Sequence, residues 1–382
     1  MGVRFQARQI IKETVQNLVL PVCYFLFRLQ KTDPDLVVFA DAHHDGRPAA
    51  MELLYRRLKK EGSWRIREHY LDYGKAGAAA VAAHSIRFMQ LYAKAGFVVI
   101  CDNFLPAASC RKRAGTKLIQ LWHACGCYKK FGYDAKDDIP ENYHGANVYR
   151  NADLVTVSGR AAVRPFASAM RLPASVVRPV GVSRTDLYRS SAWAAKCRER
   201  FYERYPEAAG KKVALWAPTF RGNAGVPENI TVDIGRLRRE LGDSWLVLTK
   251  LHPHMLHQGS EAEDAADMGL CPIPTEELYP VTDVLIADYS SLVYEYLMFE
   301  KPLVLYCPDL EDYRKRRGFY MDITDIPGEI AEERSEEKLA EAVRRAHIDP
   351  EALSGFLELY MGACDGHATE RITKWMKENK RE

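Results

Sequence analysis

Three places in this 382-residue sequence set side chains that can handle a proton or a phosphate directly after a short apolar run. Lys117 to Trp122 (KLIQLW) delivers His123, followed by Ala124, Cys125 and Gly126 and then Lys129 and Lys130. Trp245 to Thr249 (WLVLT) leads into Lys250, Leu251 and His252, and Pro253 biases the His252 backbone toward an extended conformation. Val284 to Ala287 ends at Asp288 and is followed by Tyr289, Ser290 and Ser291. With a reference pKa near 6.5, a histidine can take a proton from a hydroxyl without extreme tuning. Hydroxyls at a helix start, beside N–H groups left unpaired in the first turn, suit a phosphate. The plainer readings are that His123 is a satisfied structural histidine, Ser290 an N-cap and Ser291 its tolerated neighbour.

The elements that must position these groups alternate between strand and helix. Leu292 to Phe299 has helical spacing and Leu303 to Tyr306 reads as the next strand, so Ser290 and Ser291 sit inside a βαβ unit. Glu295 lies one turn further in, on the face that carries Ser291, within reach of a ribose hydroxyl. Upstream, strands are expected at Leu36 to Ala40, Ile66 to Leu71, Phe97 to Cys101, Lys117 to Trp122, Asp153 to Val157 and Val176 to Val180. Helices are expected from Pro48 to Lys60 and from Ala76 to Lys94. His43 and His44 follow the first strand as adjacent loop residues, a poor arrangement for a shared metal and more often polar punctuation than a ligand contact. Arg184 stands beside a crossover between halves, and a long polar helix follows it (Ala192 to Tyr205). Val213 to Ala217 then runs into the donor-rich loop of Pro218, Thr219 and Arg221. Ligands of open α/β sheets bind beyond the carboxyl ends of strands, which places Thr219, Arg221, His252, Ser290 and Ser291 along one rim.

Composition narrows the class. A 47% hydrophobic content over this length supplies two cores, and the sheet that restarts at Val213 after the long polar helix sets a boundary near residue 185: a segment 1–34, a domain 35–185 and a domain 186–382. The net charge of +3 argues against a nucleic-acid partner. Nine scattered cysteines without a Cys-x-x-Cys pair indicate neither a disulfide scaffold nor a structural zinc, and point to a reducing cytosol. No acidic metal motif ends a strand, so neither metal nor cofactor is expected. At the N-terminus, Arg4, Arg8 and Lys12 precede the apolar run Leu18 to Leu29, which Pro21 interrupts and Arg28 and Lys31 flank. That run is short for a spanning helix of about 20 residues. It reads either as an amphipathic segment lying on an anionic bilayer or as a helix docked on the core.

Taken in order, QLWHACGCYKKFGYD (Gln120 to Asp134), APTFRG (Ala217 to Gly222), KLHP (Lys250 to Pro253) and TDVLIADYSS (Thr282 to Ser291) through RGFYMD (Arg317 to Asp322) resemble one family. It is the CDP-glycerol glycerophosphotransferases of teichoic-acid synthesis, which also includes ribitol-phosphate transferases, and the likeness covers roughly residues 35 to 360. The resemblance implies a GT-B fold, with two Rossmann-like α/β domains facing across a cleft. It implies a CDP-alditol donor at Pro218, Thr219, Lys250, Leu251, His252, Ser290, Ser291 and Glu295. Arg184 matches a Gly-x-Pro-Arg-x-Asp pattern in which this chain has Ser183 for proline. Trp122, His123, Ala124, Cys125 and Gly126 stand where Trp-His-Gly-Thr-Pro is frequent. The implied reaction moves an alditol phosphate, glycerol phosphate first, onto a hydroxyl of a lipid-linked saccharide acceptor at the inner membrane surface. His123 would serve as base, with His252, Thr219, Arg221, Arg184 and the Ser290–Ser291 turn stabilising the departing CMP. The alternatives are a nucleotide-sugar-dependent glycosyltransferase of the capsule polysialyltransferase kind, a sugar 2-epimerase, or a binding protein that retains the donor pocket without turnover.

Overall fold

The computed structural model describes residues 14–136, 138–139, 145–219, 221–223, 226–228, 232–251 and 270–380. It is an α/β protein with two parallel sheets. The chain groups into two compact units, the first comprising Met1–Ala124, Gly132–Asp186 and Gly362–Glu382, the second Cys125–Phe131 and Leu187–Met361. This grouping departs from a single cut at residue 185 in two places. The last helix, Ala368–Glu378, belongs with the first unit, and so does not stay with the chain before it. The seven residues after Ala124 belong with the second.

In the first unit the strands are β1 (Asp33–Asp41), β2 (Arg65–Tyr70), β3 (Ala95–Ile100), β4 (Lys117–Gln120), β5 (Ala152–Thr156) and β6 (Val177–Arg178). They form one all-parallel sheet in the order β2-β1-β3-β4-β5-β6. Every residue of β3 is buried, as expected for a parallel strand covered on both faces. Alternation along β1 and β3 divides the core. Val38, Ala40, Val98 and Ile100 meet Leu20 and Tyr24 of α1 (Leu20–Phe27) on one side, while Val37, Phe39, Phe97 and Val99 meet Met51, Leu54 and Leu58 of α2 (Ala49–Glu61) on the other. Ile372, Trp375 and Met376 of the last helix complete that second side, which explains why it returns. The first side is closed by Phe88, Met89 and Tyr92 of α3 (Ala78–Lys94).

The N-terminal run docks on the core through helix α1. Leu20 and Tyr24, one turn apart, are buried, and the Tyr24 hydroxyl accepts from the Arg113 backbone N–H at 2.9 Å. Its other face leaves Val22, Phe25 and Leu26 exposed, as are Leu18 before it and Leu29 after it. Arg4, Arg8 and Lys12 lie outside the described residues. No helix among the described residues is long and apolar enough to cross a membrane.

The second unit holds β7 (Lys212–Ala217), β10 (Trp245–Thr249), β11 (Val284–Ala287), β12 (Leu303–Tyr306) and β13 (Glu329–Ala331), all parallel in the order β10-β7-β11-β12-β13. A short antiparallel pair, β8 (Arg221–Asn223) and β9 (Val226–Glu228), follows β7. One face of the sheet buries Trp216, Ile286 and Val304 against Leu237 and Leu241 of helix Ile234–Leu241 and Leu339 and Val343 of helix Glu336–Arg345. The two sheets share a wiring. In each, the chain steps from its first strand to one edge and then returns to the other side of that strand. The order therefore reverses between β1 and β3 in the first unit and between β7 and β11 in the second. Ligands of such sheets bind at that reversal, outside the carboxyl ends of the strands.

Candidate functional site

In the first unit the carboxyl ends of β1, β3 and β4 carry Asp41, Cys101 with Asp102, and His123. Strand β4 stops at Gln120, two residues short of the expected Trp122. Leu121 N–H still reaches Ile100 O at 2.8 Å, but Trp122 takes a left-handed backbone with φ 57°. That conformation is costly for a bulky residue and reverses what the next side chain faces. Trp122 is buried against Tyr149 and Phe166, while His123 lies on top of it, ring centroids 4.6 Å apart at 27°, with about half of its side chain exposed.

The imidazole is held on one side only. His123 Nδ1 is 3.2 Å from Asp102 Oδ2 and 3.3 Å from Cys101 O. Both partners are acceptors, so Nδ1 carries the proton and Nε2 is the basic atom, the arrangement of an oriented general base. Arg184 Nη1 donates to His123 O at 2.6 Å, fixing the backbone rather than the ring. The Ser183 hydroxyl, where the resemblance has proline, is 2.8 Å from Thr369 Oγ1, and Asp186 accepts from the backbone of Ala368 and Thr369 at 3.0 and 2.8 Å. The Arg184 loop is thus tied to the last helix. Cys101 is no nucleophile, because burial and the neighbouring Asp41 and Asp102 push its thiol well above the usual range. Asp102 is the partner that sequence reasoning missed. Its only signal was its place at the end of the strand before β4.

In the second unit the rim is built around Asp288, fully buried at the end of β11. Both its oxygens accept from Thr219 N–H, at 2.9 and 3.0 Å, which fastens the loop after β7 across the point of strand reversal. Pro218 and Thr219 are buried there. Ser290 and Ser291 are half-buried, and the Ser290 hydroxyl accepts from Leu292 N–H at 3.4 Å, a long contact for a cap. Ser291 makes no side-chain cap bond to the helix Leu292–Leu297. That helix is shorter than the expected Leu292 to Phe299, so its dipole adds little. Glu295 is buried and takes the Tyr188 hydroxyl at 2.5 Å on one oxygen.

Lys250 Nζ donates to Cys271 O at 2.9 Å, with burial lowering its pKa, and Leu251 is half-buried beside it. Arg221 lies in β8, and His252 lies outside the described residues. Among the described residues no group of acidic, histidine or cysteine side chains could hold a metal ion.

Ala124 is half-buried, and the chain after it packs in the second unit. Lys130 N–H donates to Gly318 O at 3.0 Å, Tyr320 N–H donates to Tyr128 O at 2.9 Å, and the Tyr128 ring stacks on Phe319 at 5.0 Å. Cys125 is buried, and burial pushes the Cys127 thiol up to about 12. Gly126 has φ 66°, and a Cβ there would sit 2.3 Å from the Tyr294 ring, so packing demands this glycine.

A family model described as CDP-Glycerol:Poly(glycerophosphate) glycerophosphotransferase matches residues 22–377. The chain is 32% identical over 354 residues to a teichoic acid ribitol-phosphate primase of Bacillus spizizenii, spanning 90% of each protein. It is 31% identical to a teichoic acid poly(ribitol-phosphate) polymerase of the same organism, with 91% of this chain covering 57% of that longer protein. Among solved structures, the wall teichoic acid polymerase TagF superposes with a TM-score of 0.73 at 20% identity, over 99% of this chain and 98% of that one. At that identity the likeness speaks for the fold alone. The oriented imidazole, the amide-fastened rim and these matches agree: the chain belongs to the CDP-glycerol:poly(glycerophosphate) glycerophosphotransferase family and is a phosphotransferase enzyme of that kind.

Proposed function

We propose that the enzyme transfers an alditol phosphate from a CDP-alditol to a hydroxyl of a lipid-linked saccharide acceptor in teichoic-acid synthesis. The acceptor oxygen attacks the β-phosphorus, its proton passes to His123 Nε2, and the bond to the bridging oxygen breaks as CMP leaves. The observation that carries this reading is His123 itself, with Nδ1 committed to Asp102 and Cys101 O and its other edge exposed. In the second unit, Pro218, Thr219, Lys250, Leu251, Ser290, Ser291 and Glu295 are assigned to the donor, together with Arg221 and His252. Arg184 supports the His123 turn, and Trp122, Ala124, Cys125 and Gly126 shape the chain around it. The units are read as the two Rossmann-like domains of a GT-B enzyme.

The resemblance to the family puts glycerol phosphate first as the group moved. The match over 90% of both chains to a ribitol-phosphate primase favours ribitol phosphate as a second reading. Measuring nucleotide release decides, as CMP from CDP-glycerol, CDP-ribitol and CMP-sugars and as UDP from UDP-sugars: release from either CDP-alditol supports the reading, and release from sugar nucleotides alone sinks it. The exposed face of α1, flanked by Arg28 and Lys31, is read as the contact with the inner membrane surface. Replacing Val22, Phe25 and Leu26 with serine should weaken sedimentation with anionic vesicles while leaving turnover of a soluble acceptor intact. Unchanged sedimentation would move the contact elsewhere.

A further inference from the structure

A second imidazole–carboxylate pair stands on the first unit's rim, and the reaction above does not use it. Asp41, at the end of β1, is 1% exposed. Its Oδ2 accepts from His43 N–H at 2.8 Å and meets His44 Nδ1 at 2.8 Å, and Cys101 Sγ lies 3.8 Å from its Oδ1. A buried carboxylate is costly unless it is paired and hydrogen-bonded, and the ionisable nitrogen on this one is that of His44. The His44 side chain is nonetheless 56% exposed, so Nδ1 is anchored while the far edge of the ring faces out. Arg47, the other cation of the loop, is occupied by Glu52 at 2.5 Å and Glu68 at 3.0 Å, and its guanidinium lies over the Tyr55 ring. Gly46, between them, has open space on its Cβ side.

Position decides what this ring could meet. Asp41 and Cys101 flank the point where the strand order reverses, the expected ligand crevice of this sheet. Cys101 touches both pairs, through Sγ to Asp41 and through its carbonyl to His123. Strands β1 and β4 are separated by β3, so their ends lie about 10 Å apart. Strand ends spaced in this way leave room for a reacting hydroxyl beside His123 and a neighbouring phosphodiester beside His44. An acceptor named as a poly(glycerophosphate) carries such a diester beside its terminal hydroxyl.

We propose that His44, held by Asp41, binds the terminal phosphodiester of the acceptor and so selects chains that already end in a glycerophosphate unit. An imidazolium donates at both nitrogens: Asp41 takes one, and a diester oxygen takes the other. The proposal rests on the phosphotransferase reading, but its calorimetric test does not. With a soluble glycerophosphate-terminated acceptor, His44→Ala should raise the acceptor KM about 10- to 100-fold, the range for a charge-assisted hydrogen bond, with kcat and donor KM held. His44→Gln, which keeps an N–H donor, should recover part of the loss. An unchanged KM in His44→Ala overturns the proposal. In parallel, calorimetry with glycerophosphoglycerol should show binding to the wild-type chain and none to His44→Ala, while glycerol binds to neither. Equal diester binding by both, or none by the wild type, also overturns it. Should the wild type release no CMP from any CDP-alditol, the phosphotransferase reading fails alone, because the calorimetry still reads the subsite.

Discussion

The two rims use the same wiring and commit their strand-end carboxylates differently. In the second unit both oxygens of Asp288 go to a backbone amide, that of Thr219, so the carboxylate shapes a loop and leaves hydroxyls along the edge. In the first unit, Asp41 and Asp102 go to the imidazoles of His44 and His123, whose outer edges stay exposed. A carboxylate bonded to backbone fixes shape. Bonded to an imidazole, it fixes the orientation of the ring and which nitrogen faces outward. The difference teaches that two sheets of one topology can present different chemistry at their rims, exposed imidazoles on one and a fastened loop on the other, by the choice of the residue each aspartate meets.

The sharpest way to break that division is His123→Ala. If the first rim supplies the base, turnover should fall by roughly the 10²–10⁴-fold that general-base catalysis contributes, with donor affinity nearly unchanged. Single-turnover rates beside calorimetric donor binding give both numbers. Asp102→Asn should lower turnover less and also leave donor binding intact, since it removes the orienting partner and keeps the ring. A collapse of donor affinity in His123→Ala would turn the ring into a phosphate ligand and erase the distinction between the rims.

A smaller effect tests the other side. Ser290→Ala with Ser291→Ala should weaken CDP-alditol binding about 10- to 100-fold, the scale of hydrogen bonds to a charged phosphate. Loss of an effective N-cap costs about 1 kcal/mol. The 3.4 Å contact from Leu292 N–H and the absence of a Ser291 cap bond predict a stability loss below that. A double variant that melts early but binds the donor normally would return both serines to a capping role.

How much of this could be read beforehand depended on whether the information was local. Val284–Ala287, Leu303–Tyr306 and Trp245–Thr249 are strands with the expected bounds, because each is a closed apolar run between polar or turn-forming neighbours. Val176 to Val180 reads equally well as a run, yet only Val177–Arg178 pairs, since the strand beside it ends at Thr156. At β4 the run continues through Trp122, and nothing local announces a tryptophan with φ 57°. The His123–Asp102 pair exists because β3 and β4 are neighbours with Ile100 opposite Gln120, a register no spacing rule contains. The environment of Glu295 was hidden for the same reason, since Tyr188 arrives from another part of the chain. The glycine after His123 was legible as a turn, but its contact with Tyr294 was not.

The last prediction concerns stability and separates the first unit from its site. His69 on β2 and His84 on α3 stack with ring centroids 3.6 Å apart at 14°. His69 Nε2 lies 3.0 Å from His84 O, and His84 Nδ1 lies 3.0 Å from the Tyr73 hydroxyl. Burial pushes both imidazoles down to about 4, with the facing His84 and then Arg87 adding to the shift of His69, and Arg87 to that of His84. Unfolded, each would titrate near 6.5. Between about 4 and 6.5 the unfolded chain therefore binds more protons than the folded one, and stability rises with pH across that window. The contribution of the neutral stack is complete above pH 6.5 and is lost as pH falls toward 4. Melting temperatures of the full chain at steps from pH 7.5 to 5 should fall on acidification, and His69→Gln with His84→Gln should flatten that slope even if it lowers the starting value. A variant with the wild-type slope would place the acid sensitivity in other groups. The His123–Asp102 pair lies outside this stack, so kcat per folded molecule should keep its pH profile in the double variant. That result would show the first unit carrying two independent sets of imidazoles, one serving the fold and one serving the rim.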